Sequence, residues 1–98
     1  MIDPLDGLPV EVRKQYEVLR QAFRHELHQR WVRITQCQDD ESMGEELHRL
    51  CGVAGGFGFD DMQRLARMAE TTLMSGMVHD HRFALDALRE EMHKWALP

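Results

Sequence analysis

The sequence predicts an all-α protein: an antiparallel up-down four-helix bundle with a short N-terminal cap, in a single domain over residues 1–98. The three prolines, Pro4, Pro9 and Pro98, all lie at the ends of the chain. No proline ring therefore interrupts a helix between the second and the third of them. β-branched residues are sparse, and apolar residues recur at three- and four-residue steps in four segments. Short connections between such segments are typical of antiparallel helical neighbours.

The boundaries of the four helices are predicted from residues that begin or end helices. Pro9 suits the first turn of the first helix, where the N–H that proline lacks would have no partner. Asp39, Asp40 and Ser42 are candidate caps for the second helix. The later breaks are marked by glycine and aspartate, at Gly58 with Asp60 and Asp61 and at Gly76 with Asp80.

Each predicted helix carries an apolar stripe that we expect to face the core. The stripes comprise Tyr16, Leu19, Phe23, Leu27, Trp31 and Ile34 in the first helix; Leu47, Leu50, Cys51, Ala54 and Phe57 in the second; Met62, Leu65, Ala66, Ala69, Leu73 and Met77 in the third; and Ala84, Ala87, Leu88, Met92 and Trp95 in the fourth. Ile2, Leu5 and Leu8 are expected to close one end of the core. A three-helix bundle with a broken middle helix is the alternative.

Composition excludes several classes of protein. Twelve basic and seventeen acidic side chains leave a net charge of −5 with histidine neutral. A nucleic-acid-binding domain should be basic, so we expect no nucleic-acid partner. No apolar run approaches the ~20 residues that span a bilayer, and the polar N-terminus lacks a signal-peptide core, so we expect no membrane association. Two cysteines cannot form a disulfide framework, which favours the reducing cytoplasm.

The second helix has an unusual face around His48. With Leu47 at zero and about 100° per residue, His48 lies at about 100°, on the shoulder between core and solvent. Gly44, Gly55 and Gly52 lie near it, at about 60°, 80° and 140°. Each glycine inside a helix costs ~1 kcal/mol relative to alanine, so three beside one histidine require a reason. Either they allow tight helix packing, or they form a notch through which another surface approaches the imidazole.

The segment over residues 47–70 resembles the signature of histidine-containing phosphotransfer (HPt) domains. Its sequence is LHRLCGVAGGFGFDDMQRLARMAE. In that family an exposed histidine precedes a leucine, a lysine–glycine pair, a small residue, a second glycine and a leucine–glutamate-like pair. The matching positions here are His48, Leu50, Gly52, Ala54, Gly58, Ala69 and Glu70.

One position departs from the family pattern. The family usually has a lysine three residues after the histidine, where it helps to neutralise the phosphoryl group, but this chain has Cys51. A thiol is a weak donor without a fixed positive charge. Arg49 points about 100° further round the helix than His48, so its side chain would have to fold back to reach a phosphoryl group on His48. Arginines of other helices are the other candidates, namely Arg24, Arg30 and Arg64. Cys51 itself is expected to be a small residue at the edge of the core rather than a redox group.

The resemblance implies a function. The chain would relay a phosphoryl group between aspartates of response-regulator receiver domains through His48, with Arg49, Cys51, Gly52 and Gly55 around the phosphoryl group or at the docking surface. Its partners would be receiver domains, a hybrid sensor histidine kinase, or both. It would need no cofactor of its own, because the Mg²⁺ belongs to the receiver. We expect a monomer without kinase or ATPase activity. The initial methionine and the complete bundle favour a free-standing protein, and a segment of a hybrid kinase stays the alternative.

Two other functions remain open. The missing lysine allows a bundle that binds receivers without being phosphorylated. A metal-binding bundle is suggested by Glu45–His48 and Glu90–His93, since Glu-x-x-His supplies ligands in di-iron bundles. However, His93 falls roughly 160° from the apolar stripe of the last helix, so the two motifs should not converge.

Overall fold

The computed structural model describes residues 7–98 and confirms the predicted four-helix bundle. The helices are α1 (Val10–Gln36), α2 (Asp40–Gly56), α3 (Asp60–Met74) and α4 (Val78–Trp95), and residues 7–98 contain no strand. α1 and α3 each pack against both α2 and α4.

The helix starts follow the predicted caps. Asp39 is the N-cap of α2, and its carboxylate accepts a hydrogen bond from the backbone N–H of Ser42 at 2.7 Å. That bond satisfies one of the backbone donors left free at a helix start. Pro9 occupies the N-cap position of α1, one residue before the expected first turn.

The α2–α3 and α3–α4 turns are built in the same way around a glycine. Gly58 and Gly76 have φ of 80° and 69°, a left-handed backbone conformation that glycine adopts without steric cost. After α2, the N–H of Phe59 donates to the Ala54 carbonyl at 2.9 Å, and after α3 the N–H of Met77 donates to the Thr72 carbonyl at 3.0 Å. These are Schellman endings, which return the chain sharply and make consecutive helices antiparallel neighbours.

The core is formed largely by the predicted stripes. Its buried hydrophobic residues are Phe23, Leu27, Ile34, Leu47, Leu50, Cys51, Ala54, Phe59, Met62, Leu65, Ala66, Ala69, Ala84, Leu88 and Met92. Phe59 was not predicted, because it follows Gly58 in a connection rather than on a helical stripe. Its ring packs against those of Phe23 and Trp95, with centroids 5.6 and 5.2 Å away, and so anchors the α2–α3 turn to α1 and α4.

The prediction that Leu19 faces the core is wrong, since its side chain is 58% exposed. The reason is its position around the helix, about 60° from the centre of the three buried residues of α1 and therefore at the edge of the stripe. Tyr16 lies nearer the start of α1 but at that centre; it is partly buried and donates to the Gly56 carbonyl at the end of α2. Leu8 lies still further out and is 41% exposed, so it does not close the core. The other two residues of the expected cap, Ile2 and Leu5, lie outside the described residues.

Candidate functional site

His48 lies on the shoulder of α2, as its helical position predicts. Its side chain is 77% exposed, whereas its neighbour Leu47 is fully buried. The backbone around it is a regular helix held by the burial of Leu47, Leu50 and Ala54. The buried face anchors α2 and thereby fixes the direction in which the imidazole projects into solvent.

The imidazole of His48 is paired with a carboxylate from the neighbouring helix. Its Nδ1 lies 3.1 Å from Oε1 and 3.3 Å from Oε2 of Glu70 in α3. An ionised carboxylate can only accept, so this hydrogen bond requires the proton to be on Nδ1. The lone pair of the neutral ring is then on Nε2, the nitrogen that does not face Glu70.

The sequence does not predict this pairing. It places Glu70 in the family motif, but it does not identify Glu70 as the partner of a residue 22 positions earlier. The only signal available was that both residues lie on helix shoulders. Whether two shoulders meet depends on how the helices are aligned along their axes.

A second contact shows the alignment of α2 and α3. Gly55 follows His48 by seven residues, and Gln63 precedes Glu70 by seven. The side chain of Gln63 occupies the space that a Cβ at Gly55 would need. Because steps of seven residues in opposite directions lead from one contact to the other, the two helices keep the same antiparallel register over two turns.

The three glycines near His48 have three different environments. A Cβ at Gly52 would have no neighbour within 4 Å, so the surface there is open. Gly55 is covered by Gln63, and Gly44 is buried, with Met74 Sδ 3.7 Å from the position of a Cβ. The open part of the notch is therefore at Gly52, while Gly44 serves helix packing.

A hollow of about 750 Å³ lies on the side of His48 that faces the start of α2. Its other lining residues are Asp40, Glu41, Gly44, Glu45, Arg49, Glu70 and Met74. Four of these are acidic, and the guanidinium of the only basic one, Arg49, donates to Glu46 at 3.0 Å. The surroundings of the imidazole on this side are consequently acidic.

The arginines proposed to replace the missing lysine are engaged elsewhere. Arg24 donates to the backbone carbonyl of Trp95, Arg30 lies 3.6 Å from Glu26, and Arg64 lies 3.7 Å from Asp61. Cys51 is 7% exposed and belongs to the core, as expected for a small residue at the core edge.

The structure does not bring the two Glu-x-x-His motifs together. His93 lines a separate hollow with His28, Trp31 and Arg89, whereas His48 lines the hollow beside Glu70. Residues 7–98 contain no group of three or more histidine, cysteine or acidic side chains that could hold a metal ion. The described part of the chain therefore offers no support for a metal-binding bundle.

Comparison with known proteins decides the family. The family model described as Hpt domain matches residues 10–96, which is nearly the whole chain and all four helices. The chain belongs to the Hpt domain family. No curated protein and no solved structure is significantly similar to it.

Membership of the Hpt family carries a general function. Hpt domains perform histidine phosphotransfer in phosphorelays, and they interact with receiver domains of two-component systems. Within residues 7–98 of this Hpt domain, no helix is long and apolar enough to cross a bilayer.

Proposed function

We propose that His48 is the phosphoacceptor of this Hpt domain and relays a phosphoryl group between receiver-domain aspartates. The observation that carries the proposal is the contact between its Nδ1 and Glu70 at 3.1 Å on an otherwise exposed ring. That contact directs the lone pair of a neutral imidazole to Nε2, where an incoming partner can reach it.

The chemistry requires little more from this chain. The Nε2 lone pair forms a bond to phosphorus of an aspartyl phosphate, while the bond from phosphorus to the carboxylate oxygen breaks and its electron pair leaves with the aspartate. Nδ1 keeps its proton, and the positive charge that develops on the ring is balanced by Glu70. Phosphoryl transfer passes through a loose transition state, so positioning and charge neutralisation supply most of the catalysis. Transfer to the next receiver is the reverse reaction.

The receiver completes the site. His48 lies exposed at the edge of an open hollow rather than in an enclosed pocket, so water must be excluded by a docked partner. We expect the receiver to cover His48 and the open surface at Gly52, and to supply the Mg²⁺, with no cofactor bound by this chain. The domain would then have no kinase or ATPase activity alone. The free thiols of Cys37 and Cys51 agree with a cytoplasmic location, and we expect a monomer.

A second function is favoured by one observation. Carboxylates surround His48 on the side of the hollow, and no lysine stands at Cys51. A phosphoryl group carries about two negative charges, so these surroundings disfavour it electrostatically. A bundle that docks receivers without accepting phosphate is therefore the alternative.

The test is incubation of the purified protein with a phosphorylated receiver domain. Wild-type protein should acquire an acid-labile, alkali-stable label, as expected of phosphohistidine, and His48→Gln should acquire none. His93→Gln, which changes another exposed histidine, should be labelled like the wild type. Because His48 is exposed, its replacement should change the free energy of unfolding by no more than ~0.5 kcal/mol.

Each other outcome has a clear meaning. Labelling of His48→Gln would contradict the assignment of His48. A loss of several kcal/mol in stability would show that His48 is a structural residue. If no receiver tested labels the wild-type protein, but a receiver still binds, the alternative function is correct.

A further inference from the structure

We infer that Arg67 supplies the positive charge that faces the phosphoryl group on His48. This inference rests on the proposed function of His48 and names a residue that neither the motif nor the predicted arginines include. It follows from the register of α2 and α3, from the engagement of the other nearby arginines, and from the charge of the site.

The site needs a cation on the side of His48 that faces Gly52. On its other side, the hollow is lined by four acidic residues, and its only basic side chain is paired with Glu46. Transfer to Nε2 brings in about two negative charges beside Glu70. Without a nearby cation, the phosphorylated state would be destabilised by repulsion between like charges.

The register of the two helices places Arg67 level with Cys51. His48 lies opposite Glu70, and Gly55 lies opposite Gln63, so a residue three positions after His48 lies opposite one three positions before Glu70. Those residues are Cys51 and Arg67. Each is displaced by about 4.5 Å along its helix from the His48–Glu70 contact. Arg67 therefore lies on α3 at the same height along the bundle as Cys51, the α2 residue that carries no positive charge.

Arg67 is also on the correct face of α3. It lies about 60° from Glu70 and about 40° from Gln63 around the helix, and both of those residues contact α2 on this shoulder. Arg67 is exposed, and no neighbouring side chain within 4 Å would crowd a Cβ at Gly52, the open position beside it. The long arginine stem can therefore carry its guanidinium toward His48 across open surface.

The guanidinium of Arg67 is free to bind a phosphoryl group, whereas those of the nearby arginines already have partners. Arg64 is paired with Asp61 and Arg49 with Glu46, whereas among residues 7–98 Arg67 takes part in no hydrogen bond or ion pair. A guanidinium presents parallel N–H donors that match two phosphoryl oxygens. A free arginine at this level is suited to bind the phosphoryl group once it arrives.

The experiment compares Arg67→Gln with Arg64→Gln, a matched control on the same helix. The rate of transfer from a phosphorylated receiver is measured as a function of receiver concentration, so that maximal rate and half-saturation are obtained separately. Arg67→Gln should lower the maximal rate about fivefold, as expected for loss of a charge contact near 4 Å at a hydrated site. Arg64→Gln should leave it unchanged. Adding Cys51→Lys to Arg67→Gln should restore the rate, because the lysine returns a charge to the same level.

The outcomes separate this inference from the proposed function. If wild-type protein is not labelled, or if His48→Gln is, the proposed function fails. If wild type is labelled at His48 and Arg67→Gln reaches the same maximal rate, only the role of Arg67 is overturned. A change confined to half-saturation would make Arg67 a docking residue and would also overturn it. Circular dichroism melts of Arg67→Gln and Arg64→Gln should match that of the wild type, because both side chains are exposed. A lower melting temperature for Arg67→Gln would indicate a structural role and would overturn the inference.

Discussion

Replacing Glu70 tests the hydrogen bond on which the proposed mechanism depends. Glu70→Gln keeps an acceptor for the Nδ1 proton of His48 but removes the negative charge, and Glu70→Ala removes both. The side chains of His48 and Glu70 are 77% and 28% exposed, so their charge interaction is that of a pair near the surface. Such pairs contribute about 0.2–1 kcal/mol.

The two substitutions should therefore differ in size. Loss of up to about 1 kcal/mol of transition-state stabilisation lowers the rate at most about fivefold, which is the effect expected of Glu70→Gln. Glu70→Ala also removes the hydrogen-bond acceptor that keeps the proton on Nδ1 of the ring. A hydrogen bond to a charged group contributes about 1.5–3 kcal/mol, so the rate should fall roughly 10- to 150-fold. Glu45→Gln is the matched control, because it removes a carboxylate from the same hollow without removing a hydrogen bond to His48, so its rate should not fall.

Two measurements check this reasoning. The maximal rate of transfer from a saturating phosphorylated receiver gives the kinetic effect. ¹⁵N NMR of the imidazole reports which nitrogen carries the proton: Nδ1 in the wild type, and a mixture of both nitrogens in Glu70→Ala. A wild-type rate in Glu70→Ala, or an unchanged proton position, would refute the role assigned to Glu70.

Three further predictions concern stability and docking. Gly52→Ala should raise the free energy of unfolding by up to ~1 kcal/mol, because the surroundings of Gly52 are open. Gly55→Ala should stabilise less, since Gln63 must move. Adding Gln63→Ala to Gly55→Ala should recover part of the difference, as measured by denaturant unfolding. The larger Gly52→Gln should slow transfer without lowering the melting temperature, and an unchanged rate would contradict docking at this surface. The hydrogen bond from the backbone of Ser42 lowers the pKa of Asp39, so this carboxylate stabilises the fold above its unfolded pKa and loses that effect as pH falls through the lowered value. Asp39→Ala should thus melt at a lower temperature than the wild type at pH 7, with a difference that shrinks below about pH 4; a difference independent of pH would exclude this contribution.

Much of the site follows from local sequence. The wheel of α2 predicts that His48 is exposed beside the buried Leu47, because a helix repeats every 3.6 residues whatever surrounds it. Asp39 could be identified as a cap since the interaction spans only three residues. The resemblance around residues 47–70 indicates the family, and the match over residues 10–96 confirms it.

Properties that depend on what packs against a helix were less predictable. Leu19 fits the apolar spacing of α1, yet it is exposed, because the neighbouring helices decide how wide a part of the stripe is covered. Gly55 and Gly52 look alike in the sequence. They differ only because Gln63 of α3 lies over one of them.

The sequence by itself determined the four helices, their inward faces and the exposure of His48, since each depends on interactions within a few residues along one helix. The tertiary structure decided which shoulder residues of α2 and α3 face each other. That alignment depends on side-chain packing along the whole interface and on the tight turn at Gly58, and no periodicity within either helix contains it. Through this alignment Glu70 reaches Nδ1 of His48, and Arg67 comes level with Cys51.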